Sequence, residues 1–324
     1  MTKGLVNSFE PVIKWSGSKH PVTAILRRLC PQTFPRTARY FEPFVGGGAL
    51  LPFRPCHEAV ASDVIPELIE LWLCIRDQPG KTAAEYEKRW RKLQADGHAA
   101  YYAIREAFNR TRNPHDFLFL TRTCVNGLIR FNGSGDFNNS LHHTRPGMAP
   151  ARLREIIRQW SAALQGVSLV TADYRETLST AVKGDFVFLD PPYAGTRGRY
   201  SPEKFDLVSF FSELERLNKI GAKWIVTFDG RAGGRTYKEA LPKELFIARL
   251  DLPTGNSPFT KLMRTGVDAV VESVYLNFAP PAQIHHAAAI SRACQDRRNF
   301  QFAPSGAHTG SGNSVTINSG TDVE

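Results

Sequence analysis

The chain has 324 residues, 42% of them hydrophobic, with 41 Lys and Arg against 31 Asp and Glu and a net charge of +10. That length buries one large core, or a core with a smaller lobe, and no run approaches the roughly 18 consecutive apolar residues that would span a bilayer. Residues 1–10 lack the apolar stretch of a signal peptide. Cys30, Cys56, Cys74, Cys124 and Cys294 are scattered without C-x-x-C spacing, and the pairs His142-His143 and His285-His286 have no matched ligands. A cytoplasmic, monomeric protein with reduced thiols, no metal and no membrane partner is the expectation.

In chain order, a helix is expected at 22–29, strands at 39–42 and 59–62, and a helix at 66–76. Residues 82–109 read as one long, charged amphipathic helix and 117–123 as another, followed by a Gly- and Asn-rich projecting loop over 126–139. Strands return at 168–171 and 186–189, with a helix at 207–220 showing apolar residues at helical spacing, then strands at 224–227, 245–250 and 270–277. The alternation predicts an α/β fold, a Rossmann-like sheet with an inserted, mainly helical lobe. Residues 1–75 and 160–278 would form the catalytic domain and 76–159 the insertion. The tail, 279–324, is Gly/Ser/Thr/Asn-rich towards its end and is expected to be disordered. Basic charge collects in the insertion: residues 81–160 hold 14 Lys and Arg against 7 Asp and Glu, a net +7, as a polyanionic partner would require.

Two motifs carry chemistry. The first, Phe41-Glu42-Pro43-Phe44-Val45-Gly46-Gly47-Gly48, ends a strand in three glycines, which lets backbone pass close to a ligand at the carboxyl end of a sheet. Asp63 ends the next strand, where an acid accepts hydrogen bonds from ribose hydroxyls. A phosphate loop is excluded at Trp15-Ser16-Gly17-Ser18-Lys19, because Val12 stands where its first glycine would be and His20 follows the lysine. The second motif, Asp190-Pro191-Pro192-Tyr193, follows the buried-strand run Phe186-Val187-Phe188-Leu189. An amino group would donate one hydrogen bond to the Asp190 carboxylate and one to the Pro191 carbonyl, freeing its lone pair for attack on a methyl sulfonium. Pro192 helps hold the chain extended, and Tyr193 would stack on a base.

With these motifs in place, the chain resembles the Dam-like DNA adenine methyltransferases over roughly residues 11–278. Four segments carry the likeness: Lys14-Trp15-Ser16-Gly17-Ser18-Lys19, residues 41–50, Arg122 to Asn132 with Gly135, Phe137 and Asn138, and Asp190 to Tyr193. The resemblance implies S-adenosylmethionine as cofactor, held by Trp15, Lys19, Phe44, Gly46, Gly48, Asp63, Asp173, Tyr174 and Asp190. Trp15 suits a core position equally, and Asp173 a strand-end cap. It implies double-stranded DNA as partner, with Asn126, Leu128, Arg130, Asn132 and Asn138 in the base-reading loop. Arg130 matches a family arginine that reads guanine, and a guanidinium suits the O6 and N7 acceptors. The target base would be flipped out of the duplex, and a GATC-type site is the family's commonest. Val125 stands where relatives often carry an aromatic, and Ser140 where they often carry proline. Other acceptors for the same site are a cytosine amine, RNA or a protein glutamine, and a DNA-binding relative without catalysis is the non-enzymatic alternative.

Overall fold

The computed structural model describes residues 9–31, 33–142, 144, 147–192, 205–232, 235–236, 241–256, 269–281 and 302–304. Its frame is a sheet in which β1 (Tyr40–Glu42), β2 (Ala59–Asp63), β3 (Val167–Thr171), β4 (Phe186–Leu189) and β5 (Lys223–Ala232) are parallel, in the spatial order β3-β2-β1-β4-β5. β6 (Arg235–Thr236) folds back on β5; β7 (Ala248–Asn256) pairs with β8 (Ala269–Leu276), which lies antiparallel beside β5. β9 (Phe302–Pro304) adds an antiparallel edge to β7, so three residues of the tail form a strand where no ordered structure was expected. An outer edge is where a strand ending in proline is tolerated.

The central strands alternate between two apolar layers, as side chains of a doubly wound sheet must. Tyr40, Phe186, Phe188 and Ile225 enter one layer; Phe41, Val187, Leu189, Trp224, Val226 and Phe228 enter the other. Eight helices among the described residues cover these faces. α1 (Thr23–Leu29), α2 (Pro66–Asp77), α3 (Pro79–Asp96), α4 (His98–Thr111), α5 (Pro114–Thr123) and α6 (Pro150–Ala163) contribute to the first layer, and α7 (Tyr174–Leu178) and α8 (Leu207–Ile220) to the second. Pro66, Pro79, Pro114 and Pro150 each open a helix, the position where a missing N–H is harmless and φ is already helical. No helix among the described residues is long and apolar enough to cross a membrane.

Two expectations need correction. The helix read across 82–109 is two helices, because Gly97 adopts φ 56° and ψ −131° and ends α3. α6 was not foreseen, although it buries Leu153, Ile156, Ile157 and Trp160 along one face. Buried side chains of the inserted helices, among them Tyr86, Phe108, Phe117 and Trp160, are continuous with those of the sheet. The insertion between β2 and β3 is therefore packed onto the frame without a core of its own.

Those helices also support the glycine turn after β1. The Trp72 indole N–H donates to the Gly46 carbonyl at 3.1 Å, and the Trp72 and Trp160 rings lie 4.9 Å apart. A Cβ on Gly48 would sit 3.2 Å from Trp72 and 3.3 Å from Trp160, at a φ of +62°. Gly48→Ala is expected to cost on the order of 1–3 kcal/mol of folding stability, from left-handed strain and crowding together. Urea unfolding of the variant against the parent measures it.

Candidate functional site

The order β3-β2-β1-β4-β5 reverses its winding between β1 and β4, and a crevice at such a point, outside the carboxyl ends of the strands, is where open α/β sheets bind ligands. Both sequence motifs sit there: Gly46 to Gly48 follow β1 and Asp190 follows β4. The glycine turn is pinned to β2 by the Val45 N–H to Ser62 carbonyl bond of 2.9 Å. Asp63 accepts from the Gly46 N–H at 3.1 Å and the Ile65 N–H at 3.3 Å, one on each carboxylate oxygen. Enclosure pushes its carboxyl up to about 6, opposed by hydrogen bonds from the backbone N–H groups of Gly46, Ile65 and Val64.

Trp15 lies directly over this turn. A Cβ on Gly46 would meet its Nε1 at 2.8 Å, and one on Gly47 would meet its Cβ at 3.1 Å and the Ser18 Oγ at 3.3 Å. The glycines thus make room for protein side chains, a cause the sequence reading assigned to a ligand alone. Phe44 stacks on Tyr174 with centroids 5.3 Å apart and meets Phe205 and Phe210 edge-on. Asp173 accepts the Arg175 N–H as the cap of α7 and pairs with the Arg175 side chain at 2.7 Å. Ser18 Oγ and Tyr174 OH are buried with no hydrogen-bond partner among the described residues. Ser18 was not singled out in the sequence, where nothing marks a serine as orphaned.

A cluster of charges surrounds Asp190. The Lys19 ammonium, 3% exposed, lies 2.9 Å from Asp190 Oδ1 and 3.4 Å from Glu272 Oε1, and donates to the Gly17 carbonyl at 3.0 Å. Thr227 Oγ1 donates to Asp190 Oδ1 at 2.6 Å. At the end of β1, Glu42 is 2% exposed and accepts from the Tyr40 hydroxyl at 2.7 Å. Burial pushes the Glu42 carboxyl up to about 8; the Tyr40 hydrogen bond opposes that shift and the nearby Asp190 charge adds to it. At neutral pH Glu42 is therefore protonated. Pro191 is buried and Pro192 half-buried; Tyr193 and the Gly- and Arg-rich stretch after it lie outside the described residues.

The loop residues gather on a second surface. Asn126 takes a left-handed φ of 55° in the turn Val125–Gly127, and Leu128 and Asn138 are half-buried. A Cβ on Gly127 would strike Lys14 Cγ at 2.5 Å, so this turn is packed on the segment that also carries Trp15 and Lys19. Residues 130–138 form a hairpin through the Phe131–Phe137 bridge. Arg130 is exposed, its Nε donating to Asn138 Oδ1 at 2.7 Å. Asn132 turns inward, its Oδ1 accepting the Ser134 and Asp136 N–H groups at 3.0 and 2.8 Å; it shapes the hairpin tip. Two asparagines the sequence did not mark organise the rest. Asn109 on α4 brackets Phe137, donating to its carbonyl at 3.2 Å and accepting its N–H at 2.8 Å. Asn139 donates to the Val125 and Leu128 carbonyls at 3.0 and 2.9 Å. Six arginines of the basic insertion, Arg89, Arg91, Arg112, Arg152, Arg154 and Arg158, pair with carboxylates; the partners Glu67 and Glu10 lie outside residues 81–160 and lower the local excess below +7.

Comparison with known proteins follows the same residues. A family model described as D12 class N6 adenine-specific DNA methyltransferase matches residues 15–228, from Trp15 through Phe228. The Retron Ec67 DNA adenine methylase of Escherichia coli is 33% identical over 230 residues, covering 67% of this chain and 76% of that protein. The DNA N-6-adenine-methyltransferase of Escherichia phage P1 is 29% identical over 237 residues, 68% of this chain but 30% of the phage protein. The DNA adenine methylase of Serratia marcescens is 29% identical over 189 residues, 56% of this chain and 66% of that protein.

Glu42 yields a pH prediction. Its folded pKa of about 8 lies above the ordinary 4.5, so its contribution to stability is full below about 4.5 and is lost as pH rises through about 8. Glu42→Gln removes that titration. Unfolding measured between pH 5 and pH 8.5 is expected to show a smaller fall in stability for the variant than for the parent.

Proposed function

The chain belongs to the D12 class N6 adenine-specific DNA methyltransferases, and from that membership we propose that Asp190 is its catalytic carboxylate, S-adenosylmethionine its methyl donor and a flipped adenine in double-stranded DNA its target. The observation that carries the reading is the position of Asp190. Its carboxylate is held by Lys19 and Thr227, beside the glycine turn, at the reversal of the sheet.

The residues fit the donor. Asp63 is an acceptor suited to ribose hydroxyls, and its carboxylate retains acceptor capacity beyond its bonds to the backbone N–H groups of Gly46, Ile65 and Val64. The buried Ser18 Oγ beside Gly47 has hydrogen-bonding capacity unused among the described residues. Trp15, Lys19, Phe44, Gly46, Gly48, Asp173 and Tyr174 complete the set proposed to line that site. When bound, S-adenosylmethionine supplies an electrophilic methyl group on a sulfonium.

The chain's own part is placement. The adenine amino group donates to the Asp190 carboxylate and the Pro191 carbonyl, which draws its lone pair out of conjugation and towards the methyl carbon. After transfer the nitrogen carries a surplus proton, and the Asp190 carboxylate is the adjacent acceptor. Glu42, its carboxyl pushed up to about 8 by burial, adds little negative charge beside Asp190 at neutral pH. Proximity and orientation supply much of the acceleration. Tyr193 is the proposed stacking partner of the flipped base.

Arg130 is proposed to read a guanine, with Asn138 setting the plane of its guanidinium, and Asn126 and Leu128 to face the bases around the target. A GATC-type duplex is the first sequence to try, and methylation mapping of DNA from expressing cells identifies the site.

Asp190→Ala is expected to retain DNA and cofactor binding and to lower the rate of methyl transfer by about 10²-fold or more; near-normal turnover would remove Asp190 from the mechanism. Arg130→Ala is expected to lower discrimination at one guanine by about 1–3 kcal/mol. Competition between matched duplexes that differ at that base reads this out, and it leaves non-specific binding little changed.

A further inference from the structure

Among the described residues, Thr227 is the fully buried hydroxyl that meets the proposed catalytic carboxylate. It lies on β5 beside the end of β4, where Leu189 pairs with Val226, and its side chain is 0% exposed. A buried hydroxyl needs an acceptor. Its Oγ1 lies 2.6 Å from Asp190 Oδ1 and 3.4 Å from the Leu189 carbonyl, and the shorter, charge-assisted contact takes the proton. Lys19 Nζ reaches the same Oδ1 at 2.9 Å, while it also serves the Gly17 carbonyl and Glu272.

Both donors therefore converge on one oxygen. A carboxylate oxygen has two lone-pair directions, so Oδ1 is saturated and Oδ2 retains the acceptor capacity. Rotation about Cβ–Cγ out of this plane would break both contacts together. The two donors come from opposite sides of the chain's order, Lys19 ahead of β1 and Thr227 on β5. Among the described residues, the carboxylate is thus held by parts of the fold distant in sequence.

We propose that Thr227 is a positioning residue: with Lys19 it sets the rotation of the Asp190 carboxylate so that Oδ2 receives the amino group of the target adenine. This rests on the reading of Asp190 as the catalytic group. Thr227 keeps its proton throughout; it exchanges nothing with substrate and acts only through Asp190. The rate of transfer then depends on the hydroxyl, whereas affinity for cofactor and DNA does not.

The test compares the full-length parent with Thr227→Val, Thr227→Ser and Asp190→Asn. Single-turnover methyl transfer to unmethylated plasmid DNA is measured beside the dissociation constants for S-adenosylmethionine and for the same DNA. Thr227→Val is expected to slow transfer about tenfold or more, the loss of one hydrogen bond to a charged group, with both dissociation constants within about twofold of the parent. Thr227→Ser, which restores the hydroxyl, is expected to return the rate to within about threefold. If the valine variant does not fold, Thr227→Ala replaces it under the same expectation. A Thr227→Val rate within about twofold of the parent while Asp190→Asn is inactive overturns the positioning role and leaves the Asp190 reading intact. A loss of rate that tracks weakened cofactor binding, and that serine does not rescue, overturns it as well. Parent-like transfer by Asp190→Asn removes the Asp190 reading and, with it, the role of Thr227.

Discussion

An ammonium that is 3% exposed cannot remain charged without close carboxylates, and in this fold Lys19 finds them on two strands that are far apart in sequence. Asp190 comes from the end of β4 and Glu272 from β8, so one buried cation brings the residue 14–19 segment, the end of β4 and the antiparallel half of the sheet to a common point. A third acid, Glu42, is enclosed at the end of β1, where burial pushes its carboxyl up to about 8.

The same segment connects the chemistry to the surface that carries the loop. Trp15 covers Gly46 and Gly47, Lys19 holds Asp190, and Lys14 packs under Gly127 at the start of the base-reading turn. One run of six residues, 14–19, thus touches the glycine turn, the Asp190 carboxylate and the loop that begins at Val125. The inserted helices reach the site from the other side, through Trp72 and Trp160 beneath Gly48. An insertion packed this way cannot move as an independent body without disturbing the turn it supports, because its buried side chains belong to the same apolar layer as the sheet.

What the sequence disclosed follows from the range of each interaction. The parallel strands and α8 were legible because apolar periodicity and turn residues are local signals; β4 and α8 fall where the pattern placed them. Asp190 was legible because Pro191 and Pro192 mark the strand end beside it. The break at Gly97 was missed because one glycine in a charged amphipathic run is weak punctuation, and only the backbone reveals the positive φ. The roles of Asn109, Asn139 and Thr227 were not legible for a different reason. Their importance lies in single hydrogen bonds to partners 28, 14 and 37 residues away, and such pairings have no period. The glycines of the first motif were correctly found and incompletely explained, since Trp15, Trp72 and Trp160 occupy the space a Cβ would need.

Val125 and Ser140, two of the positions at which the chain departs from the Dam-like resemblance, form one local feature. The Val125 N–H donates to the Ser140 carbonyl at 2.9 Å, a bond that a proline at 140 would accept equally well. The N–H of Ser140 is what proline lacks, and it donates to Asn139 Oδ1 at 2.8 Å. That bond leaves the Asn139 amide nitrogen to donate to the Val125 and Leu128 carbonyls on the opposite side. Serine at 140 therefore allows one asparagine side chain to fasten both ends of the turn that carries Asn126. The contacts that hold Asp190, formed by Lys19 and Thr227, share no partner with this turn. The two sets of hydrogen bonds are separate, and they are joined through Lys14, packed against Gly127, and its neighbours.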